Sequence, residues 1–166
     1  MRAHTRSISI FLIALAIRLW AIQQTFPQQH YFGKYLALGQ ELLSNGFTAV
    51  RPFSYSPAYC YFIAFCQSIV GDSLLPILIL QAVIGAGTCV LIHLIGKELL
   101  GEPWALFPAA IACVYRSFVL YDVTLLSDSL GLFILMALVL ALYRVERNPG
   151  RMTFAVIGGL LGLSLL

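Results

Sequence analysis

The sequence predicts an all-α polytopic membrane protein, and three observations indicate this fold class. Of the 166 residues, 60% are hydrophobic and only 10% are charged. A soluble domain usually has about 25% charged residues, because it needs a polar surface against water. Apolar stretches of nearly spanning length recur along the chain, and polar segments containing glycine and proline separate them. The net charge of +3 is also too small for a nucleic-acid-binding surface.

Five apolar stretches are predicted as transmembrane helices. They cover residues 7–22, 74–95, 104–121, 125–143 and 152–166. The first stretch follows Arg2 and Arg6 and resembles a secretory signal, but its apolar run continues to Ile22, which favours an uncleaved signal anchor. The last stretch reaches the end of the sequence without a polar flank, so we expect the chain to be a fragment of a longer protein.

Residues 23–73 form the longest polar segment and contain two helical patterns. Between His30 and Ser44, apolar side chains recur at helical spacing, which predicts an amphipathic helix on the membrane surface. Residues 58–70 are apolar but too few to span. If they lie flat and the N-terminus is cytoplasmic, six basic loop residues lie inside and two outside, as the positive-inside rule favours. A crossing segment gives at best five against three. The sequence therefore predicts one outer loop with two interfacial helices.

The four cysteines stand singly in apolar stretches, which predicts small buried side chains. They are Cys60, Cys66, Cys89 and Cys113. Because no CxxC pair and no histidine at metal-ligand spacing accompanies them, no residue is assigned as a metal ligand.

Several short motifs, in order along the chain, resemble the N-terminal part of the GT-C superfamily of membrane glycosyltransferases. The resemblance is to the group of protein O-mannosyltransferases, lipid A aminoarabinose transferases and RgtA/B/C/D-like proteins. The motifs are A-I-R-L-W at 16–20, Y-L-A-L-G-Q-E-L-L-S-N-G at 35–46, S-Y-S-P-A-Y at 54–59, the segment 81–101 that begins Q-x-x-x-G, Y-D-V-T-L-L-S-D-S-L at 121–130 and G-G-L-L-G-L at 158–163.

This resemblance implies a partial GT-C fold and a polyprenyl-phosphate-linked sugar donor. In that family an acid on the first outer loop acts as base or orients the acceptor, in some members with a divalent metal ion. The family places this acid two to four residues before the tyrosine that matches Tyr35, where this chain has Tyr31, Phe32 and Gly33. The expected acid is therefore absent from this chain.

Two acids are the candidate catalytic residues. Asp128 aligns with the acid of a family motif and could accept a proton from an acceptor hydroxyl. The alternative is a charge favoured by the helix N-terminus, with Ser127 as the cap. Glu41 could replace the missing acid, although it lies about two turns farther along its helix. Asp122 is interpreted as a simple carboxylate in an interfacial turn.

Six residues are candidates for binding the substrates. Arg18 and Arg116, toward the outer ends of spans, could bind a phosphate, reach lipid headgroups or neutralise a nearby aspartate. The candidates on the outer loop are Lys34, Arg51, Tyr35 and Tyr55. The two cations there could attract an anionic donor or simply headgroups. Tyr55 belongs to the aromatic run 53–62, which could form an interfacial aromatic belt or stack on a sugar, and Tyr35 stands in a family motif.

The resemblance, together with the apolar spans, therefore implies a multi-pass glycosyltransferase of the cell membrane, or the N-terminal part of one. It would transfer a sugar from a polyprenyl-phosphate donor to an acceptor at the outer face, with the N-terminus cytoplasmic. Its predicted partners are the lipid bilayer and the lipid-linked donor. An inactive or truncated relative is one alternative, which the missing acid favours. A small transporter or scaffold subunit is the other, and the apolar mid-span positions disfavour it.

Overall fold

A computed structural model describes residues 2–26, 33–49, 55–71, 73–102, 104–147 and 150–164 of the chain. Within these ranges all regular secondary structure is helical, which confirms the predicted all-α fold class. In chain order the helices are α1 (Arg2–Thr25), α2 (Gly33–Ser44), α3 (Pro57–Val70), α4 (Leu74–Leu100), α5 (Leu106–Val114), α6 (Arg116–Asp122), α7 (Asp128–Arg147) and α8 (Arg151–Ser164).

Three of the described helices are long and apolar enough to cross a membrane. These are Thr5–Thr25 within α1, Leu74–Leu100, which is α4, and Asp128–Glu146 within α7. At about 1.5 Å per residue, α4 extends about 40 Å, which exceeds the roughly 30 Å of hydrocarbon in a bilayer. α3 and α8 are shorter apolar helices. The chain is therefore a helical multi-pass membrane protein.

The segment predicted as one span over residues 104–121 is divided into two helices. α5 ends at Val114, Tyr115 has an extended backbone with φ −64° and ψ 114°, and α6 begins at Arg116. An extended residue cannot continue the i to i−4 hydrogen bonding of an α-helix, so the helix stops and restarts here. The apolar pattern did not predict this break, since a tyrosine is compatible with either conformation.

The bundle has two ends, which we call the upper and the lower end. At the upper end, Ile22 of α1, Ile77 of α4 and Val123 pack in one hydrophobic cluster. At the lower end, Arg6 of α1 forms an ion pair with Glu102, which follows α4. Because α1 ends and α4 begins at the upper end, the chain between them, including α2 and α3, starts and finishes on that side of the bundle.

α2 packs closely against α3 because Gly39 leaves room for its neighbours. A Cβ atom at Gly39 would lie 2.1 Å from Gln67 Oε1 and 2.8 Å from Ile63 Cγ2. Gln67 Nε2 also donates a hydrogen bond of 3.2 Å to the carbonyl of Leu36. α3 then joins the upper hydrophobic cluster through Tyr59 and Ile63. The predicted amphipathic helix is thus present from Gly33 onward, and residues 30–32 lie outside the described ranges.

Small side chains allow α1, α4 and α5 to approach one another below this cluster. Ala14 of α1, Ala86 and Cys89 of α4, and Ala109 and Cys113 of α5 form a second buried cluster. The four cysteines of the chain are all free and buried. Their interpretation as small core residues is therefore confirmed.

Candidate active site

A buried ion pair joins α1 to the end of α6. Arg18 is 0% exposed, and its Nε donates a hydrogen bond of 2.6 Å to Asp122 Oδ2. Its Nη1 donates to the carbonyl of Ala14 at 3.1 Å, and its Nη2 lies 3.5 Å from the sulfur of Cys89. The hydroxyl of Ser129 donates to Asp122 Oδ1, so both carboxylate oxygens have a donor. Burying either charge alone in an apolar bundle would cost several kcal/mol, and the pairing offsets this cost.

The carboxylate of Asp122 occupies space that a glycine of α4 leaves open. A Cβ atom at Gly85 would lie 2.0 Å from Asp122 Oδ2 and 2.2 Å from its Cγ. No side chain larger than hydrogen can therefore stand at position 85 without moving the aspartate. The ion pair requires α1, α4 and α6 together.

One turn before Gly85 on α4, Gln81 binds the segment that links α6 to α7. Its Nε2 donates toward three backbone carbonyls of this segment, at 2.7 Å to Thr124, 3.0 Å to Tyr121 and 3.3 Å to Leu126. Its Oε1 accepts a hydrogen bond of 3.0 Å from the hydroxyl of Tyr59 on α3. Gln81 therefore connects α3 to the turn that precedes α7. The Q-x-x-x-G spacing places the amide and the glycine on the same face of α4.

At the upper end, Tyr35 of α2 lies near Tyr55 and near the residues at which α7 begins. The ring of Tyr35 is 5.2 Å from that of Tyr55 and packs edge-on against Tyr59 at 4.8 Å. Burial raises the pKa of the Tyr35 hydroxyl, the nearby Ser127 hydroxyl opposes this shift, and the Asp128 carboxylate contributes to the rise. Tyr35 therefore stays protonated near neutral pH and can donate a hydrogen bond. We call Tyr35, Tyr55, Tyr59, Ser127 and Asp128 together the tyrosine–aspartate site.

The acid of this site is open to solvent. Asp128 is exposed and is the first residue of α7, near the positive end of the helix dipole. No side chain in the described ranges forms an ion pair or hydrogen bond with it. A cavity of about 90 Å³ beside Tyr59 and Ser127 is well below the roughly 300 Å³ of a typical ligand pocket. A substrate would therefore approach Asp128 from its exposed side.

The structure brings together three of the residues predicted from sequence and separates the others. Tyr35, Tyr55 and Asp128 lie in one site. Lys34 precedes Tyr35 and is exposed, and Arg116 is exposed at the start of α6.

Two candidates lie elsewhere on the chain or outside the described part. Glu41 is half-buried on α2, about 9 Å farther along the helix axis than Tyr35. Arg51 lies outside the described residues. Neither is part of the tyrosine–aspartate site as described.

Two interpretations of charged residues need correction. Of the three roles predicted for Arg18, the structure shows the neutralisation of an aspartate. Its guanidinium is fully buried and paired, so it reaches neither a substrate phosphate nor lipid headgroups. The interpretation of Asp122 as a simple turn carboxylate is wrong, since its exposed fraction is only 4%. Its partner stands 104 residues away in the chain, and hydropathy does not indicate which spans face each other.

The tyrosine–aspartate site contains one carboxylate, that of Asp128. Among the described residues, no three His, Cys, Asp or Glu side chains lie close enough together to hold a metal ion by themselves. Mg²⁺ is usually bound by one or two carboxylates together with substrate phosphates. A divalent ion at Asp128 would therefore need further ligands from a substrate phosphate.

Sequence reasoning missed the roles of Gln81 and Ser129. Both are buried, with exposed fractions of 1% and 2%. A lone amide within a 27-residue apolar helix is a signal that could have indicated a polar contact, because unsatisfied polar groups are costly there. Its partners are backbone carbonyls, however, and a sequence does not reveal those.

Helices long and apolar enough to span a bilayer, with a polar site at one end, define a multi-pass membrane protein. The family model described as dolichyl-phosphate-mannose-protein mannosyltransferase matches residues 50–166. This match covers more than two thirds of the chain, so the chain belongs to that family and is a membrane glycosyltransferase of the GT-C type. The resemblance seen in the sequence is thereby confirmed. No curated protein and no solved structure matches the chain significantly.

Proposed function

We propose that the chain transfers a sugar from a polyprenyl-phosphate-linked donor to an acceptor at the outer face of the cell membrane, with Asp128 as the catalytic base. The family description names a dolichyl-phosphate sugar, which is a donor of this chemical class. A donor with a lipid tail reaches the protein from the bilayer, so its phosphate and sugar lie at the depth of the membrane surface. The tyrosine–aspartate site lies at one end of the bundle, as such a donor requires.

The observation that carries this proposal is the difference between the two aspartates near the upper end. Asp122 is buried and its charge is neutralised by Arg18, so its carboxylate is not accessible to an acceptor substrate. Asp128 is exposed and lacks an ion-pair partner among the described residues. The carboxylate of Asp128 can accept the proton of an acceptor hydroxyl as that oxygen attacks the anomeric carbon of the sugar. The bond from this carbon to the phosphate oxygen breaks, and polyprenyl phosphate leaves. Tyr35 can donate a hydrogen bond beside it, and Tyr55 offers an exposed ring for stacking on the sugar.

The basic residues support an orientation with the lower end in the cytoplasm. Arg6 and Lys97 flank Glu102 there, and Arg144 lies near Glu98 at the same end. Cytoplasmic loops carry an excess of Lys and Arg, so this end is the candidate cytoplasmic side. The tyrosine–aspartate site then faces the outside, and the N-terminus is cytoplasmic.

A transfer assay on membranes containing the natural protein tests this function. Polyprenyl-phosphate mannose is the first donor to use, followed by other lipid-linked sugars. We expect Asp128→Asn to lower the rate about 100-fold or more, as for the loss of a general base. Glu146→Gln is the matched control, because it neutralises an exposed acid at the opposite end of the same helix. Equal rates for Asp128→Asn and the natural protein would refute the catalytic role of Asp128.

An inactive relative is the second candidate, and one observation favours it. The acid that the family pattern places before Tyr35 is absent, since positions 31–33 hold Tyr, Phe and Gly. The same assay distinguishes the candidates. No transfer from any lipid-linked donor, with the folded protein present in the membrane, would favour the inactive relative.

A further inference from the structure

Gln81 lies between the two parts of the tyrosine–aspartate site, which are the tyrosines on one side and Ser127 with Asp128 on the other. It is 1% exposed within the apolar helix α4, yet both ends of its carboxamide form contacts outside that helix. The amide oxygen accepts from Tyr59, and the amide nitrogen donates to the segment 121–126. If this position only had to be filled, an apolar residue of similar volume would cost less free energy to bury than an amide. The hydrogen bonds of the amide therefore indicate a structural role.

The contact of Gln81 with Tyr59 supports the tyrosines of the site, and its contacts with the segment 121–126 support the acid. Tyr59 packs edge-on against Tyr35 at 4.8 Å, so the hydrogen bond to Gln81 fixes the ring on which Tyr35 rests. On the other side, Gln81 holds the carbonyls of Thr124 and Leu126 at 2.7 Å and 3.3 Å, and α7 begins with Asp128 two residues later. The side chain of Gln81 is thus shared by the segments that carry the tyrosines and the acid.

We propose that Gln81 is a positioning residue of this glycosyltransferase: by binding Tyr59 and the 121–126 turn at once, it sets the distance between Asp128 and the tyrosines. The proposal rests on the proposed function for its catalytic consequence. Gln81 itself lies below the site and does not contact a substrate. Its effect is on geometry, and a displacement of about 1 Å in a catalytic group can lower a rate about 100-fold.

The chemistry of the amide explains why glutamine suits this position. Its NH₂ group supplies two donors, and its oxygen accepts the tyrosine hydroxyl, so one side chain satisfies acceptors and a donor together. Gln81→Glu keeps the size but replaces the donors with an oxygen that faces three carbonyls. Gln81→Leu removes all of these bonds. The two variants therefore disturb the turn for different reasons and should affect the same site.

The kinetic test compares these variants with Thr88→Val. Thr88 is also buried on α4, but among the described residues its hydroxyl donates only to the carbonyl of Ile84 in the same helix, so its loss leaves the turn untouched. In the full protein we expect Gln81→Leu and Gln81→Glu to lower kcat about tenfold or more, with KM for the lipid donor nearly unchanged. Tyr59→Phe keeps the ring and loses one bond, so it should give a smaller fall in kcat. Unchanged kcat in Tyr59→Phe and in whichever Gln81 variant folds would overturn the proposal.

A second measurement does not depend on transferase activity. Ser127→Cys places a thiol directly before α7, where a membrane-impermeant maleimide can label it, and the four natural cysteines are buried. With Gln81→Leu added, we expect faster labelling because the turn opens more often; with Thr88→Val added, the rate should stay the same. Equal labelling rates in all three proteins would refute the positioning role. Faster labelling with no transfer activity in the natural protein would instead uphold this geometry and reject the proposed function.

Discussion

The buried pair of Arg18 and Asp122 predicts a strong energetic coupling between α1 and α6. Arg18→Met removes the cation and leaves Asp122 with only the Ser129 hydroxyl, whereas Asp122→Asn leaves a guanidinium at 0% exposure without a counter-charge. Two unit charges about 4 Å apart attract by about 4 kcal/mol at the effective dielectric of a protein. Removing one partner of a buried pair costs about 3–5 kcal/mol of the free energy of unfolding. We expect each single variant to fall in this range.

The double variant decides whether the pair, and not either residue alone, carries this energy. Without both charges, no ion is left buried, so the double variant should recover at least about 2 kcal/mol relative to the sum of the single variants. The measurement is reversible unfolding in mixed micelles. The control cycle uses Arg6→Met and Glu102→Gln, whose side chains are 41% and 33% exposed and whose coupling should stay below about 1 kcal/mol. Additive effects of the Arg18 and Asp122 variants would refute this reasoning.

Three further predictions concern close contacts and one ionisation. Gly85→Ala should destabilise the protein by about 2 kcal/mol or more in the same unfolding assay, because the new Cβ overlaps Asp122. Gly158→Ala is the control: its Cβ would meet no atom within 4 Å, so it should change stability by less than about 1 kcal/mol. Gly39→Ala should cost about 1–3 kcal/mol and increase proteolysis of α2, because it separates α2 from α3. Burial disfavours the phenolate of Tyr35, so its pKa lies above the ordinary 10.0; the ultraviolet titration difference between the natural protein and Tyr35→Phe should therefore appear above pH 10.

The sequence predicted the parts of the fold that depend on local pattern. The long apolar run of α4 and the helical periodicity of α2 are visible in composition and spacing alone. Asp128 and Tyr35 were both selected because they stand in short motifs of one family, and the structure places them near each other at the upper end. The all-α class and the family could therefore be predicted before any coordinates.

The parts that escaped prediction depend on which helices face each other. Arg18 had several possible partners, and only the packing of α1 against α4 and α6 selects Asp122. Gln81 acts on backbone carbonyls, which every residue has, so no residue type marks the turn that it holds. The interruption at Tyr115 was also invisible, because hydropathy averages over a window and does not detect one extended residue.

The contact between Gly85 and Asp122 has a consequence for how this protein can change over time. The carboxylate fills the volume that a methyl group at position 85 would need. A larger residue at position 85 is therefore tolerated only if Asp122 has been replaced. Replacing Asp122 in turn leaves Arg18 of α1 buried without a counter-charge. Substitutions at positions 18, 85 and 122 should therefore occur together in evolution. We expect a homologue with alanine in place of Gly85 to lack both the arginine and the aspartate.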